Sequence, residues 1–465
     1  MDKATTRFYG FGGLALGIAG NAVTYFLMLF YNQVLGIPAH LVGMALAVAL
    51  IFDAISDPLM GMISDRTRSV WGRRHPYIYA AAIPMTLSYW FLWNPPDWIL
   101  VTSKSTFIFL TINLILFRTA MTCFDVPSNA MVPELTKNYD QRTRMMSARV
   151  STAWVGGVAF TILMYGYFLQ PTELEPVGIL NKAGYQSASW LGACLMLTAI
   201  IVSAIGTHKH IGTLGSERPY SAINVAEFYK TVGSILSNQA FRTLMAYAIV
   251  WRSTDGLLAA LWIYLMSYFW LINSDQIAIL SGTNFIGAVI ALIITPWLAR
   301  GLNKRTVIIF TNLGFLFTSV LPVVLRLYGF VTDDRVFAVL LSVNWLGVLL
   351  QVITLSLMAS MITDVFEDIQ KTHHVRHEGA VVSAQTFVEK VSSAAGTWAA
   401  GMILLIIGFP ENANVGEVAT GVVRGLGQYY AGIVAGVSFV SVLLLLRFKL
   451  NREQHEENLR RVGTV

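Results

Sequence analysis

Charge is scarce in this chain. Asp, Glu, Lys and Arg make up 12% of its 465 residues, against 55% hydrophobic, too few polar groups to cover a soluble protein of this size. Cysteine is scarcer still: Cys123 and Cys194 stand alone in apolar stretches, which excludes a disulfide scaffold or a cysteine-based metal site. The first apolar run has no early small-residue cleavage site and reads as a span rather than a removable signal. Nucleophile elbows, phosphate-cradling glycine loops and metal-ligand spacings are also missing, so no enzyme is expected. His373, His374 and His377 do cluster, in a segment that reads as a hydrated loop.

Long uncharged runs fill the chain instead. About twelve can cross the roughly 30 Å of a bilayer core, which predicts an all-α integral membrane protein. The cleanest are 8–39, 76–96, 150–172, 183–207, 276–299, 306–325, 336–363 and 425–446. Four more, 39–64, 105–131, 239–271 and 380–407, carry charges inside the run. Taken in order, the loops on one face hold Arg66, Arg68, Arg73, Arg74, Lys137, Arg142, Arg144, Arg300, Lys304, Arg305, Lys371 and Arg376, whereas the other face has Lys104, Lys182, Arg326, Arg335 and Arg424. The positive-inside rule makes the first face cytoplasmic and puts both termini there. The net charge of +6 then serves topology, not nucleic acid. The expected plan is two six-helix halves, 1–207 and 239–446, joined by a cytoplasmic loop 208–238 and followed by a tail 447–465. Residues 222–238 have the amphipathic spacing of a helix lying on the membrane surface. A monomer in the cell inner membrane is expected.

Asp53 and Asp57 break the run 39–64, where a charge costs roughly 2.5–3.5 kcal/mol on insertion scales. Their i, i+4 spacing puts both carboxylates on one helical face with Ser56 beside them. Such a set of oxygen ligands suits a cation, Na⁺ or a proton. The other intramembrane charges are Arg118, Asp125, Arg149, Arg252, Asp255, Glu389 and Lys390. Their signs nearly balance, which predicts a polar chamber inside the bundle. Arg118, Thr122 and Asp125 share one helical face, with Pro127 freeing a backbone carbonyl close by. Thr386 and Lys390 share another, and Lys390 needs an anionic partner from the first half. Arg252 and Asp255, at i, i+3, are spaced to satisfy each other. Asp65 with Arg66, Arg73 and Arg74 forms a charged cluster after the second span, placed to latch helix ends as a gate. Gly10, Gly12, Gly13, Gly17 and Gly20 in the first span point to close helix packing, and Tyr89, Trp90 and Trp93 to an interfacial aromatic belt.

Several motifs extend this reading: YGFG at Tyr9, DAISDPLMG at Asp53, SDRTRSVWGRRHP at Ser64, TAMTCFDVP at Thr119, MITDVFEDIQ at Met361, RHEG at Arg376 and SAQTFVEK at Ser383. Along nearly the whole chain they resemble the glycoside–pentoside–hexuronide:cation symporters of the major facilitator superfamily, the family of melibiose permease. The resemblance implies the major facilitator fold, no cofactor, and cation-coupled symport of a glycoside or related small solute by alternating access. It implies a cation site of Asp53, Ser56, Asp57 and Thr122, with Asp53 and Asp57 as the metal ligands if the ion is Na⁺ rather than H⁺. Asp125, Arg149, Thr386 and Lys390 are its implied substrate residues, to which the charge pattern adds Arg252 and Asp255. The chain departs from the permease at Leu16 and Gly17, where that protein has Lys and Asp, and so lacks its clamp on sugar hydroxyls. Those two positions and the basic Arg118, Arg149, Arg252 and Lys390 suit an alternative cargo, an amphiphile or organic anion such as a lysophospholipid or sugar acid.

Overall fold

The computed structural model describes residues 3–136, 138–211, 238–373 and 378–448. They form twelve long helices: α1 (Lys3–Val34), α2 (Ala39–Arg66), α3 (His75–Trp93), α4 (Ser103–Leu135), α5 (Tyr139–Leu163), α6 (Lys182–His208), α7 (Gln239–Tyr264), α8 (Ser274–Gly301), α9 (Lys304–Leu327), α10 (Asp333–His373), α11 (Glu378–Ile406) and α12 (Thr420–Arg447). Among the described residues, nine of these are long and apolar enough to cross a membrane by length and composition. The exceptions are α3, α7 and α11. The shortfall of α7 and α11 was foreseeable from Arg252, Asp255, Glu389 and Lys390. That of α3 was not: it counted among the cleanest runs, but its prolines, tyrosines, Thr86 and Ser88 dilute its hydropathy.

Helix starts follow from single residues. Asn138, Asn181, Asn238, Asn273 and Asn303 each cap a helix by accepting from a backbone N–H two or three residues on, which satisfies one of the orphan donors of a helix N-terminus. Prolines lie inside α2, α3, α4, α8 and α9; each withholds the donor that would bond the carbonyl four residues back.

The helices pack alike in two sets. α1 packs on α5 and α6, α2 on α4, and α3 on α4 and α6; six helices later, α7 packs on α11 and α12, α8 on α10, and α9 on α10 and α12. The sets meet through α2 against α11 and α5 against α8, a pair of contacts related by the same shift of six, and through α1 against α7. Glycine makes the tightest of these approaches. A methyl group at Gly17 would lie 1.9 Å from the Ala153 carbonyl of α5, and one at Gly396 would lie 1.8 Å from the Ser253 carbonyl of α7. Gly10, Gly12 and Gly13 are close-packed as expected, whereas Gly20 faces open space.

α2 shows how the bundle sorts its faces. Ile51, Ile55, Leu59 and Ile63, spaced by four, are exposed on the outside, whereas Asp53 is 2% exposed on the inside. Tyr89 and Trp93, expected at an interface belt, are instead buried, with Trp93 stacked on Tyr185 at 5.6 Å. Of the expected linker, 212–237 lies outside the described residues, as do Lys137, His374, Arg376, His377 and the tail beyond Phe448; the side chains of Arg300, Lys371 and His373 also fall outside the description.

Candidate functional site

Asp53 and Asp57 stand one turn apart on the inner face of α2, and two other helices reach them. From α4, the Thr122 hydroxyl lies 2.9 Å from Oδ1 of each carboxylate. From α11, the Lys390 ammonium donates to Asp53 Oδ2 at 2.7 Å and to Asp57 Oδ2. Arg118 Nη1 of α4 adds a longer ion pair to Asp53 at 3.7 Å. Two carboxylates and two cationic groups thus balance, and the anionic partner expected for Lys390 is found in the first set of helices. Ser56 differs from expectation. Its hydroxyl donates to the Asp53 backbone carbonyl at 3.2 Å, a bond within its own helix, so it contacts neither carboxylate.

Asp125 and Arg149 form a separate group. Arg149 is 3% exposed; it donates to Asp125 at 2.8 Å and to Ser128, and lies 5.2 Å from both the Tyr9 and Phe124 ring centroids. Asn129 also donates to Asp125, at 3.0 Å. The guanidinium therefore pins α5 to α4 and α1. Thr386 is exposed. Among the described residues, no hydrogen bond or ion pair joins Asp125 or Arg149 to Lys390.

Arg252 and Asp255 do not simply satisfy each other. Their separation is 3.7 Å, while Arg252 reaches Glu389 of α11 at 2.8 Å. Asp255 accepts from Gln351 of α10 at 2.8 Å, and Glu389 from Gln385 at 2.7 Å. Glu389 and Lys390 are neighbours about 100° apart on one helix, so α11 is tied to α7 by one and to α2 by the next. The gating cluster also acquires a member that the sequence did not single out. Glu134 of α4 pairs with Arg73 at 2.7 Å and with Arg74 at 3.1 Å, and Arg74 further bonds Asp65 and, at 2.7 Å, Ser64. Arg66 is the last residue of α2.

A cavity of about 400 Å³ opens between the two sets of helices. Asn21 and Thr161 line it from α1 and α5, and Asp255, Asn284, Asn344 and Gln351 from α7, α8 and α10. Asp125, Arg149, Thr386 and Lys390 are not among its lining residues. Asn284, Asn344 and Gln351 escaped the sequence reading because they sit in runs judged cleanly apolar; an amide in such a run was the available signal.

Residues 8–452 match the family described as MFS/sugar transport protein. An uncharacterized symporter, sll1374, of Synechocystis sp. is 38% identical over 168 residues, 36% of this chain and 31% of that protein. The chain therefore aligns with about a third of that relative's length. The putative glycoside/cation symporter YagG of Escherichia coli is 24% identical over 416 residues, covering 88% of this chain and 84% of its own. Among solved structures, the inward open conformation of the xylose transporter XylE from E. coli superposes with a TM-score of 0.66 at 14% identity, covering 98% of both chains. The matched family and these neighbours are transporters, not enzymes.

Proposed function

The chain belongs to the MFS/sugar transport protein family, and from that premise we propose that it is a cation-coupled symporter of a glycoside or related small solute, working by alternating access in the cell inner membrane with both termini cytoplasmic. One observation carries the coupling: Asp53 and Asp57 of α2 are held by Lys390 of α11, across the contact between the two sets of helices. The ammonium stands where a coupling cation would. The carboxylate oxygens and the Thr122 hydroxyl are hard oxygen donors, the chemistry that suits Na⁺, and the same carboxylates accept H⁺. A cation arriving there competes with Lys390 and loosens the tie between α2 and α11. If solute binding depends on that tie, ion and solute change each other's affinity by the same factor. YagG, similar over most of its length, is named as a glycoside/cation symporter, which supports both the coupling and the solute class.

The experiment is uptake into proteoliposomes under imposed Na⁺ or H⁺ gradients. Asp57→Asn should abolish accumulation against a solute gradient while leaving solute exchange, because uphill transport needs the ion and recognition does not. Undiminished, equally cation-dependent accumulation by Asp57→Asn would overturn the assignment.

A further inference from the structure

We propose that the cavity between the two sets of helices binds a neutral polyhydroxylated solute and discriminates against organic anions. The proposal rests on the transport reading above and deepens it by naming the solute class. Its size, about 400 Å³, falls within the roughly 300–1,000 Å³ of small-molecule pockets.

The charge of the wall decides against an anion. Asp255 is the one carboxylate lining the cavity, and no Lys, Arg or His side chain lines it. The nearest cation, Arg252, is held by Glu389 at 2.8 Å. Arg149 is committed to Asp125 and Ser128, and Lys390 to the α2 carboxylates. An anionic solute would find one negative group and no counter-charge, and would lose its hydration without replacement.

The polar groups that do line the cavity match hydroxyls. Asn344 donates to Asn284 at 2.5 Å and Asn21 to Thr161 at 3.1 Å. Each amide pair thereby uses one donor and one acceptor. Among the described residues the Asn284 amide donor and the Asn344 and Asn21 carbonyls have no other protein partner, and amides offer both roles that a hydroxyl needs. Tyr165 makes the same point from a buried position: it lines the cavity, is 1% exposed, and its hydroxyl has no hydrogen-bond partner among the described residues. A buried hydroxyl left unpaired is costly, and a solute hydroxyl would satisfy it. Trp154 of α5 and Phe285 of α8, with ring centroids 6.1 Å apart, bring aromatic surface from both sides to the apolar face of a ring. The same geometry links cavity to ion site, since Asp255 is followed by Arg252 and Glu389, the chain neighbour of Lys390.

The test is equilibrium binding to the purified full-length protein in lipid nanodiscs, read by tryptophan fluorescence. The probes are a panel of neutral mono- and disaccharides and their methyl glycosides, the matching uronates, and a short hydroxyalkylsulfonate. At least one neutral member should bind, with its uronate about tenfold weaker or worse, and Asp255→Asn and Gln351→Leu should each weaken the neutral member by about ten- to a hundredfold. The neutral-over-uronate preference is measured on the unmodified protein and so survives any variant that fails to fold. An anion binding as tightly as its neutral counterpart, neutral binding indifferent to both substitutions, or no neutral binding at saturating concentrations would each overturn the proposal. Failure of the coupling reading is separate: it appears in the Asp57→Asn accumulation assay, whatever the panel shows.

Discussion

Lys390 is the residue on which the ion site turns. Its ammonium bonds two carboxylates at once, and without it Asp53 and Asp57 would keep only the Thr122 hydroxyl and the 3.7 Å contact to Arg118. Removing one partner of a buried ion pair costs about 3–5 kcal/mol because the remaining charge is uncompensated. Lys390→Ala should therefore unfold at a lower temperature in cation-free buffer. It should also regain more stability on adding the coupling cation than the unmodified protein does, since the competitor is gone. Thermal unfolding with and without Na⁺, and across pH, reads both effects. A Lys390→Ala protein whose cation-induced shift is no larger than the parent's would remove Lys390 from the competition.

Helix contact is set by backbone, not side chain, at two places. Gly17 lies against the Ala153 carbonyl and Gly396 against the Ser253 carbonyl, and neither carbonyl can swing aside as a flexible side chain would. Gly17→Ala and Gly396→Ala should each force α1 from α5 or α7 from α11 and cost about 1–3 kcal/mol by overpacking. Gly20→Ala, three residues from Gly17 on the same helix but facing open space, should be neutral or slightly stabilising, since Ala is the better helix former. The unfolding temperatures of the three variants in one detergent decide it; equal losses at Gly17 and Gly20 would show that contact geometry is not the cause.

Across the whole molecule, one end of the bundle is closed by a polar knot centred on Gln33. Its amide donates to the Pro410 carbonyl at 3.0 Å and accepts from the Ala413 backbone at 2.9 Å, while Tyr268 bonds both Gln33 and the Ala413 carbonyl. Asn32 accepts from Tyr264 beside it. These bonds join the end of α1 to α7 and to the segment after α11, at the end opposite Arg73 and Arg74. A few hydrogen bonds of about 1 kcal/mol each are enough to move a two-state equilibrium by tenfold or more. Gln33→Leu should shift the population toward opening at this end, seen as faster maleimide labelling of a cysteine placed at Ala413 and slower labelling at the opposite end. Unchanged labelling at both ends would reduce the knot to a structural role.

The sequence by itself determined the class, the spans and the ion site. Long apolar runs admit only helices in a bilayer, since every backbone group must find its partner within the segment. A pair of acids at i, i+4 in such a run shares a face whatever packs against it, so Asp53 and Asp57 were legible, as was the need of Lys390 for an anion. The periodicity that fixes a face does not fix the neighbour. Ser56 turned to its own backbone, Arg252 chose Glu389 over Asp255, and Glu134 joined Arg73 and Arg74, because each choice depends on which helices meet and at what distance. Asn284, Asn344 and Gln351 come from runs far apart in sequence and become one wall only when α8 and α10 pack together. Only the tertiary structure assembles that cavity, because hydrogen bonds and charge act over a few ångströms, and which residues come that close is decided by packing between helices.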